Sequence, residues 1–284
     1  MLEFLQTHPK GIRRLIHRGD SSRRVVRGAL SMNIAVLLKQ VPDTTAKITV
    51  ADGRVDENDV SKWSMSPYDE YALESALQLS AAIGGTITVV TAGPDRCNRM
   101  LTDAAAVGAD NLVRIDVADL SALDSTQVQS LLAAAVQNIG ADVVFCGKQA
   151  SDTNAGSTGP GVAELMGAAC VTLVSEVSAD GNGFSAMRPS SSGSERIAVS
   201  APCIFAFDKG TTEMRRPNVR GIMMAKKKQI EVISAVDLGV DLGAASVSIS
   251  GHSPPAQKAA GQKFEGAESV SVVVGKLRDE ANVI

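Results

Sequence analysis

Between Gly147 and Pro160 the chain reads Gly-Lys-Gln-Ala-Ser-Asp-Thr-Asn-Ala-Gly-Ser-Thr-Gly-Pro. Small residues there let a ligand approach the backbone closely. Hydroxyls, backbone N–H groups and the start of a following helix can together hold a phosphate. The run is neither a Walker A loop nor a G-x-G-x-x-G fingerprint. By itself it serves equally well as an ordinary connection, so what it does depends on where the fold puts it.

Most other chemistries lack their residues. The 284-residue chain has three histidines, His8, His17 and His252, two of them in the first 31 residues and one in the tail. Histidine triads and histidine-rich metal centres are therefore excluded, and no catalytic residue or metal ligand is assigned. Cys97, Cys146, Cys170 and Cys203 are scattered, with no CxxC pair for a zinc ribbon or a disulfide framework. Aromatics make up 3% of the chain and its net charge is −3, which argues against a nucleic-acid partner. No apolar run reaches the roughly 18 residues of a membrane span.

The charge is uneven. Residues 1–31 carry +5, with Lys10 and six arginines against Glu3 and Asp20, which leaves −8 for the remainder. This leader lacks the apolar core of a secretory signal. It is expected to be a disordered extension or an upstream start, with Met32 the true beginning; its arginines also suit a mitochondrial transit peptide.

From Met32 onward, strands and helices alternate. Strands are expected at 34–38, 86–91, 111–115 and 143–146. Helices are expected from Ser66, over 95–107, from about Ser125 and over 159–166. Ser66 is placed as an N-cap with Pro67 first in the helix and Asp69 closing a short capping box. This rhythm predicts an α/β fold, a doubly wound parallel sheet with helices on both faces. Ligands of such sheets bind at the carboxyl ends of strands, which is where the 147–160 run begins.

Six blocks, in order, resemble the β subunit of electron transfer flavoproteins, a family that includes FixA-like subunits. They are Met32-Asn-Ile-Ala-Val-Leu-Leu-Lys-Gln-Val-Pro-Asp43, Ser66-Pro-Tyr-Asp-Glu-Tyr-Ala-Leu-Glu74, Ala92-Gly-Pro94, Ala104-Ala-Ala-Val-Gly-Ala-Asp110, Gly147-Lys-Gln-Ala-Ser-Asp152 and Met224-Ala-Lys-Lys-Lys228. The resemblance spans residues 32–235. It implies an electron carrier rather than an enzyme, working in a heterodimer whose α subunit holds most of a redox FAD. The β subunit would bind a second adenine nucleotide: AMP in most members, FAD in electron-bifurcating ones. The resemblance also implies flavoprotein dehydrogenases, such as acyl-CoA dehydrogenases, as partners. A cytoplasmic location follows, or the mitochondrial matrix if the leader is a transit peptide.

Carried over by position, the nucleotide would meet Leu37, Ser66, Ala92 and Gly93 at three strand ends. Asp152, Asn154, Ala155, Gly156, Ser157, Thr158 and Gly159 would surround its phosphate. Leu37 could equally be plain core and Asp152 a plain turn residue. Ser66 replaces the family's Asn, and Ser157 its Gln. Thr158-Gly159 resembles the AMP type and Gly159-Pro160 the bifurcating type; the balance favours AMP.

A smaller β-rich region follows, with strands expected at 171–177, 184–187, 196–200 and 204–207. Residues 208–225 align with the loop by which the family docks dehydrogenases. There Val219 stands in place of a protruding leucine, and Arg216 and Arg220 replace uncharged residues. Residues 236–284 are expected to form a Pro/Ser/Gly-containing linker and an arm packing on the α subunit. The competing reading is a stand-alone nucleotide-sensing module like the universal stress proteins. An ATP-pyrophosphatase would want S-G-G-x-D-S after the first strand, where Lys39-Gln-Val-Pro-Asp43 stands instead.

Overall fold

A computed structural model of the chain describes residues 32–181, 183–258 and 260–284; the leader lies outside them. The strands are β1 (Asn33–Leu37), β2 (Gln40–Pro42), β3 (Val50–Ala51), β4 (Arg54–Val55), β5 (Trp63–Met65), β6 (Thr86–Gly93), β7 (Asn111–Asp116), β8 (Val143–Gly147), β9 (Ala169–Val174), β10 (Glu176–Asp180), β11 (Gly183–Ser190), β12 (Gly193–Val199), β13 (Cys203–Phe207) and β14 (Ile230–Ile233). The helices are α1 (Pro67–Ile83), α2 (Asn98–Val107), α3 (Ser125–Ile139), α4 (Thr158–Met166), α5 (Val219–Ala225) and α6 (Val270–Asp279).

Seven strands form one parallel sheet in the order β14-β7-β6-β1-β8-β13-β9. From β1 the chain steps outward to β6 and β7, then recrosses β1 to lay β8 on its other side. The order therefore reverses at β1, and the carboxyl ends of β1 and β8 flank the crevice this reversal opens. The central strands are apolar throughout because both faces are covered: Ile34–Leu37 and all of β13 are buried. On one face Ile34, Val36, Ile87 and Val89 pack with Leu73 and Leu77 of α1 and Leu101 of α2. On the other, Ala35, Val90 and Val144 pack with Leu131 and Val136 of α3 and Val162 of α4.

The second half departs from expectation in an informative way. Residues 171–177 are not one strand. β9 joins the parallel sheet beside β13, while β10 joins β11 and β12 in a separate antiparallel sheet. The break falls at Ser175; just before it β9 bulges at Leu173, which has φ +58° and is skipped in the register between Ala206 and Phe207. The antiparallel sheet is anchored by aromatic contacts. Phe184 of β11 meets Phe205 of β13 edge-on at 5.7 Å, and Phe145 lies 5.6 Å from both Phe205 and Phe207.

Three other elements carry no clear mark in the sequence. The polar stretch 42–65 folds into two small ladders, β2–β5 and β3–β4, held by Arg96 stacked 3.8 Å above the Trp63 ring. β14 is fastened beside β7 by Lys228, whose Nζ donates to the carbonyls of Ala109 and Asp110. The tail first returns to its own domain. Leu238, Val240 and Leu242 pack on the second core, Gln127 donates to the carbonyls of Leu242 and Gly243, and the Ser246 N–H donates to Asp124. Asp124 and Gln127 also form the capping box that starts α3. α6 then ends the chain with Val270 and Val272 exposed. No helix among the described residues is long and apolar enough to cross a membrane.

Phe205 joins the two sheets and is fully buried. Phe205→Ala should lower stability by about 3–5 kcal/mol in urea unfolding. A loss under 1 kcal/mol would mean that the antiparallel layer is held elsewhere.

Candidate functional site

The crevice at β1 and β8 is organised by one carboxylate. Two parallel strands that part at their carboxyl ends leave backbone N–H groups without ladder partners. Asp69, in the first turn of α1, takes both: the Lys39 N–H donates to its Oδ2 at 2.7 Å and the Gly147 N–H to its Oδ1 at 2.9 Å. The expected capping box of α1 is therefore not formed. Asp69 turns away from Ser66, and Ser66 makes no side-chain cap bond. The Ser66 backbone N–H instead donates to the Lys39 carbonyl at 3.0 Å, and its hydroxyl faces the Gln149 carbonyl at 3.5 Å. A Cβ on Gly147 would collide with the Asp69 carboxylate and the Tyr68 backbone, so glycine is required for this close approach.

Asp69 is almost wholly buried. Burial pushes its carboxyl from the ordinary 3.8 up to about 7, against the opposing pull of the Lys39 and Gly147 N–H groups. The protonated form keeps one acceptor and turns its other oxygen into a donor facing an N–H, so protonation loosens the clip.

The loop beyond β8 folds back over this point. Lys39 Nζ lies 2.7 Å from Asp152 Oδ2 and 2.9 Å from Oδ1, which ties the loop to the end of β1. Asp152 also accepts the Thr153 N–H at 2.8 Å, and Gln149 donates to Asn154 Oδ1 at 2.8 Å. Asn154 and Gly156 have φ +51° and +68°, left-handed conformations that suit Asn and Gly. Ser157 precedes α4 without a side-chain cap bond, and its carbonyl is held by Gln129 Nε2 at 3.1 Å. Gly159 packs directly on the sheet: a Cβ there would lie 2.9 Å from Cys146 Sγ. The start of α4 is thus seated over β8, with the hydroxyls of Ser157 and Thr158 beside it.

Leu37, Ser66, Ala92 and Gly93 lie buried at strand ends around the crevice, while Asp152, Asn154, Ala155, Gly156 and Thr158 form its exposed rim with Ser157 half-buried among them. Sequence reasoning missed two residues here. Lys39 was read only as part of the first block, and Asp69 only as a cap. Its position two residues beyond the buried strand was the available signal for Lys39; none existed for Asp69. Lys148, in the same Gly-Lys-Gln run, is engaged elsewhere. Its Nζ pairs with Asp208 at 2.8 Å and lies 4.8 Å from the Tyr68 ring centroid.

The proposed docking residues lie well away from this crevice. Val219 opens α5 and is 75% exposed, with Ile222, Met223 and Met224 also exposed and Arg216 and Arg220 at their rim. Asn218 caps this helix by accepting the Gly221 N–H at 2.8 Å. The segment leading to it is moored by Arg215, which donates to Glu74 through its backbone N–H at 3.1 Å and through Nε and Nη2 at 2.8 Å. Burial opposes charge on Glu74, but these bonds outweigh it and hold the carboxyl below its ordinary value.

A doubly wound parallel sheet, a small-residue loop at its switch point and a seated helix start define an α/β protein of the class whose ligands bind where the strand order reverses. Comparison with known proteins then places it. A family model described as the electron transfer flavoprotein domain matches residues 55–238. The "Electron transfer flavoprotein subunit beta" of Bacillus subtilis (strain 168) is 35% identical over 259 residues, covering 89% of this chain and 100% of that protein. Proteins of the same description from Mus musculus and Homo sapiens are each 33% identical over 252 residues, covering 87% of this chain and 97% of each relative. The chain belongs to the electron transfer flavoprotein β-subunit family.

The folded chain retains the Asp69 proton up to about pH 7, whereas an unfolded aspartate releases it near 3.8. This group therefore favours folding most below about pH 4, and the contribution is lost as pH rises to about 7. Other carboxylates titrate too, so the informative quantity is wild type minus Asp69→Asn. That stability difference should fall across this window and level off above it. A difference that stays flat throughout would show that folding leaves the Asp69 pKa unchanged.

Proposed function

We propose that the chain is the β-type subunit of a heterodimeric electron transfer flavoprotein, and that the β1/β8 crevice binds an adenine nucleotide. The observation that carries this reading is the assembly at the switch point. Asp69 pins the two strand ends, Gly147 and Gly159 permit close approach, the Lys39–Asp152 pair ties the loop to the end of β1, and that loop leads into the uncapped start of α4. Leu37 and Ala92-Gly93 would offer backbone to the adenine. N–H groups at the start of α4 and the hydroxyls of Ser157 and Thr158 would hold phosphate, with Lys39 near enough to offset its charge. These residues fit AMP, and the same cradle would take the adenylate half of a second FAD.

The redox flavin, held mainly by an α-type subunit, supplies reversible electron transfer. This chain's residues would bind and orient; among the described residues we find no nucleophile or acid–base set, which supports the role of a carrier. The exposed apolar residues of α6 support an α-subunit partner and weigh against a stand-alone sensing module. The exposed Val219 and its neighbours support docking of flavoprotein dehydrogenases. The setting is the cytoplasm, or the mitochondrial matrix if the leader is a transit peptide.

Co-expression with an α-type subunit should give a yellow 1:1 complex. Denaturing it should release one FAD and one AMP; two FAD would mark a bifurcating member, and release of neither AMP nor a second FAD would overturn the site. Gly156→Val places a branched residue at φ +68° and should expel the nucleotide. Val219→Ala should weaken dehydrogenase docking by on the order of 1–2 kcal/mol while leaving bound nucleotide unchanged. An electron-transfer rate insensitive to Val219, Arg216 and Arg220 alike would move the docking site elsewhere.

A further inference from the structure

Three buried side-chain polar atoms among the described residues have no hydrogen-bond partner within the chain: Thr91 Oγ1, Asn98 Oδ1 and Arg114 Nε. They are scattered in sequence but not in the fold. Thr91 and Arg114 are register partners on the adjacent parallel strands β6 and β7. Both point to the α2 side of the sheet, since they share the alternation of Val89 and Leu112, which pack there. Asn98 is the first residue of α2. It follows the short turn Asp95–Cys97, whose Asp95 accepts from Arg114 Nη2 and whose Cys97 lies against Gly93. The three residues thus all lie about the carboxyl end of β6 and the start of α2.

The rest of Arg114 is committed. Its side chain is 5% exposed, Nη1 donates to the Gly93 carbonyl at 2.9 Å and to Asp116 Oδ1 at 2.6 Å, and Nη2 is held by Asp95. A buried guanidinium is costly unless its donors are satisfied. Here Nε is the guanidinium nitrogen left with no partner at all, and the Thr91 hydroxyl and the Asn98 carboxamide oxygen are equally unsatisfied. One ligand answers all three. A water molecule accepts from Arg114 Nε, donates to Asn98 Oδ1 and exchanges a hydrogen bond with the Thr91 hydroxyl. That makes about three bonds, the usual number for a buried structural water.

We propose that Thr91, Asn98 and Arg114 form a buried water-binding site, and that this water fixes the Arg114 guanidinium so that it holds Gly93 in place at the nucleotide crevice. The second half of this inference rests on the nucleotide reading given above. Arg114 is then a positioning residue: it acts through the Gly93 carbonyl and touches no ligand itself.

The test has two arms, both on the full chain. A crystal structure that resolves ordered solvent should show one water within hydrogen-bond distance of Thr91 Oγ1, Asn98 Oδ1 and Arg114 Nε. Direct contact of Arg114 Nε with Thr91 Oγ1, with no water between them, would overturn the site. In the second arm, AMP is titrated into nucleotide-free protein by calorimetry. The near-isosteric Thr91→Val should weaken AMP binding by roughly three- to tenfold, the value of one net hydrogen bond. Thr91→Ser, which keeps the hydroxyl, should restore it. A purely structural role would lower the melting temperature of Thr91→Val and leave the AMP affinity of its folded fraction unchanged; that result would overturn the positioning role. If wild type binds no AMP, the nucleotide reading fails and the positioning role falls with it, while the crystallographic arm still decides the water site.

Discussion

A parallel sheet whose strand order reverses must hold two diverging strand ends together without ladder bonds. In this chain the task falls to Asp69. Its two oxygens accept the N–H groups of Lys39 and Gly147, one from each side of the reversal. The carboxylate must reach both from the first turn of α1, which fixes how that helix sits. Gly147 must be glycine for α1 to come so near. Lys39, emerging just beyond the clip, is placed where its ammonium can moor the loop through Asp152. The path of that loop then sets the start of α4 over β8. The crevice, the loop and the helix start thus follow from one buried group, whose burial raises its own pKa toward neutrality.

The surrounding layers serve the same geometry from a distance. The aromatic set Phe145, Phe184, Phe205 and Phe207 binds the antiparallel sheet to the strands beside β8. Glu74, one turn beyond Asp69 on α1, anchors Arg215 and so the segment leading to α5. One helix therefore serves both the β1/β8 crevice and the segment leading to the exposed face of α5. Its first turn holds strand ends, and its next holds the segment that presents Val219.

Much of the fold was legible because local and global signals agreed. The apolar runs Ile34–Leu38 and Val143–Cys146 have no polar alternation, as befits strands covered on both faces, and α2 ends at Val107 as expected. The failures have physical causes. Residues 171–177 read as one strand because composition does not show a chain changing sheets; only the pairing of β9 with β13 and of β10 with β11 does. β14 follows a lysine run that looks solvated, yet Lys228 is consumed by two carbonyls. Asp69 had every mark of a helix cap, and its actual partners lie 30 and 78 residues away. The run 147–160 stands out by its residue types, but Lys39, which ties it down, comes from just beyond the end of β1.

The central claim is that the β1/β8 switch point is where this chain binds adenine nucleotide. Backbone amide NMR of the full chain during titration with AMP tests it directly. The account predicts that the shifts concentrate at Leu37–Lys39, Asp69, Ala92-Gly93 and residues 152–159, and that inorganic phosphate perturbs only the last group. Perturbations centred on any other part of the sheet, or none at saturating AMP, would contradict it.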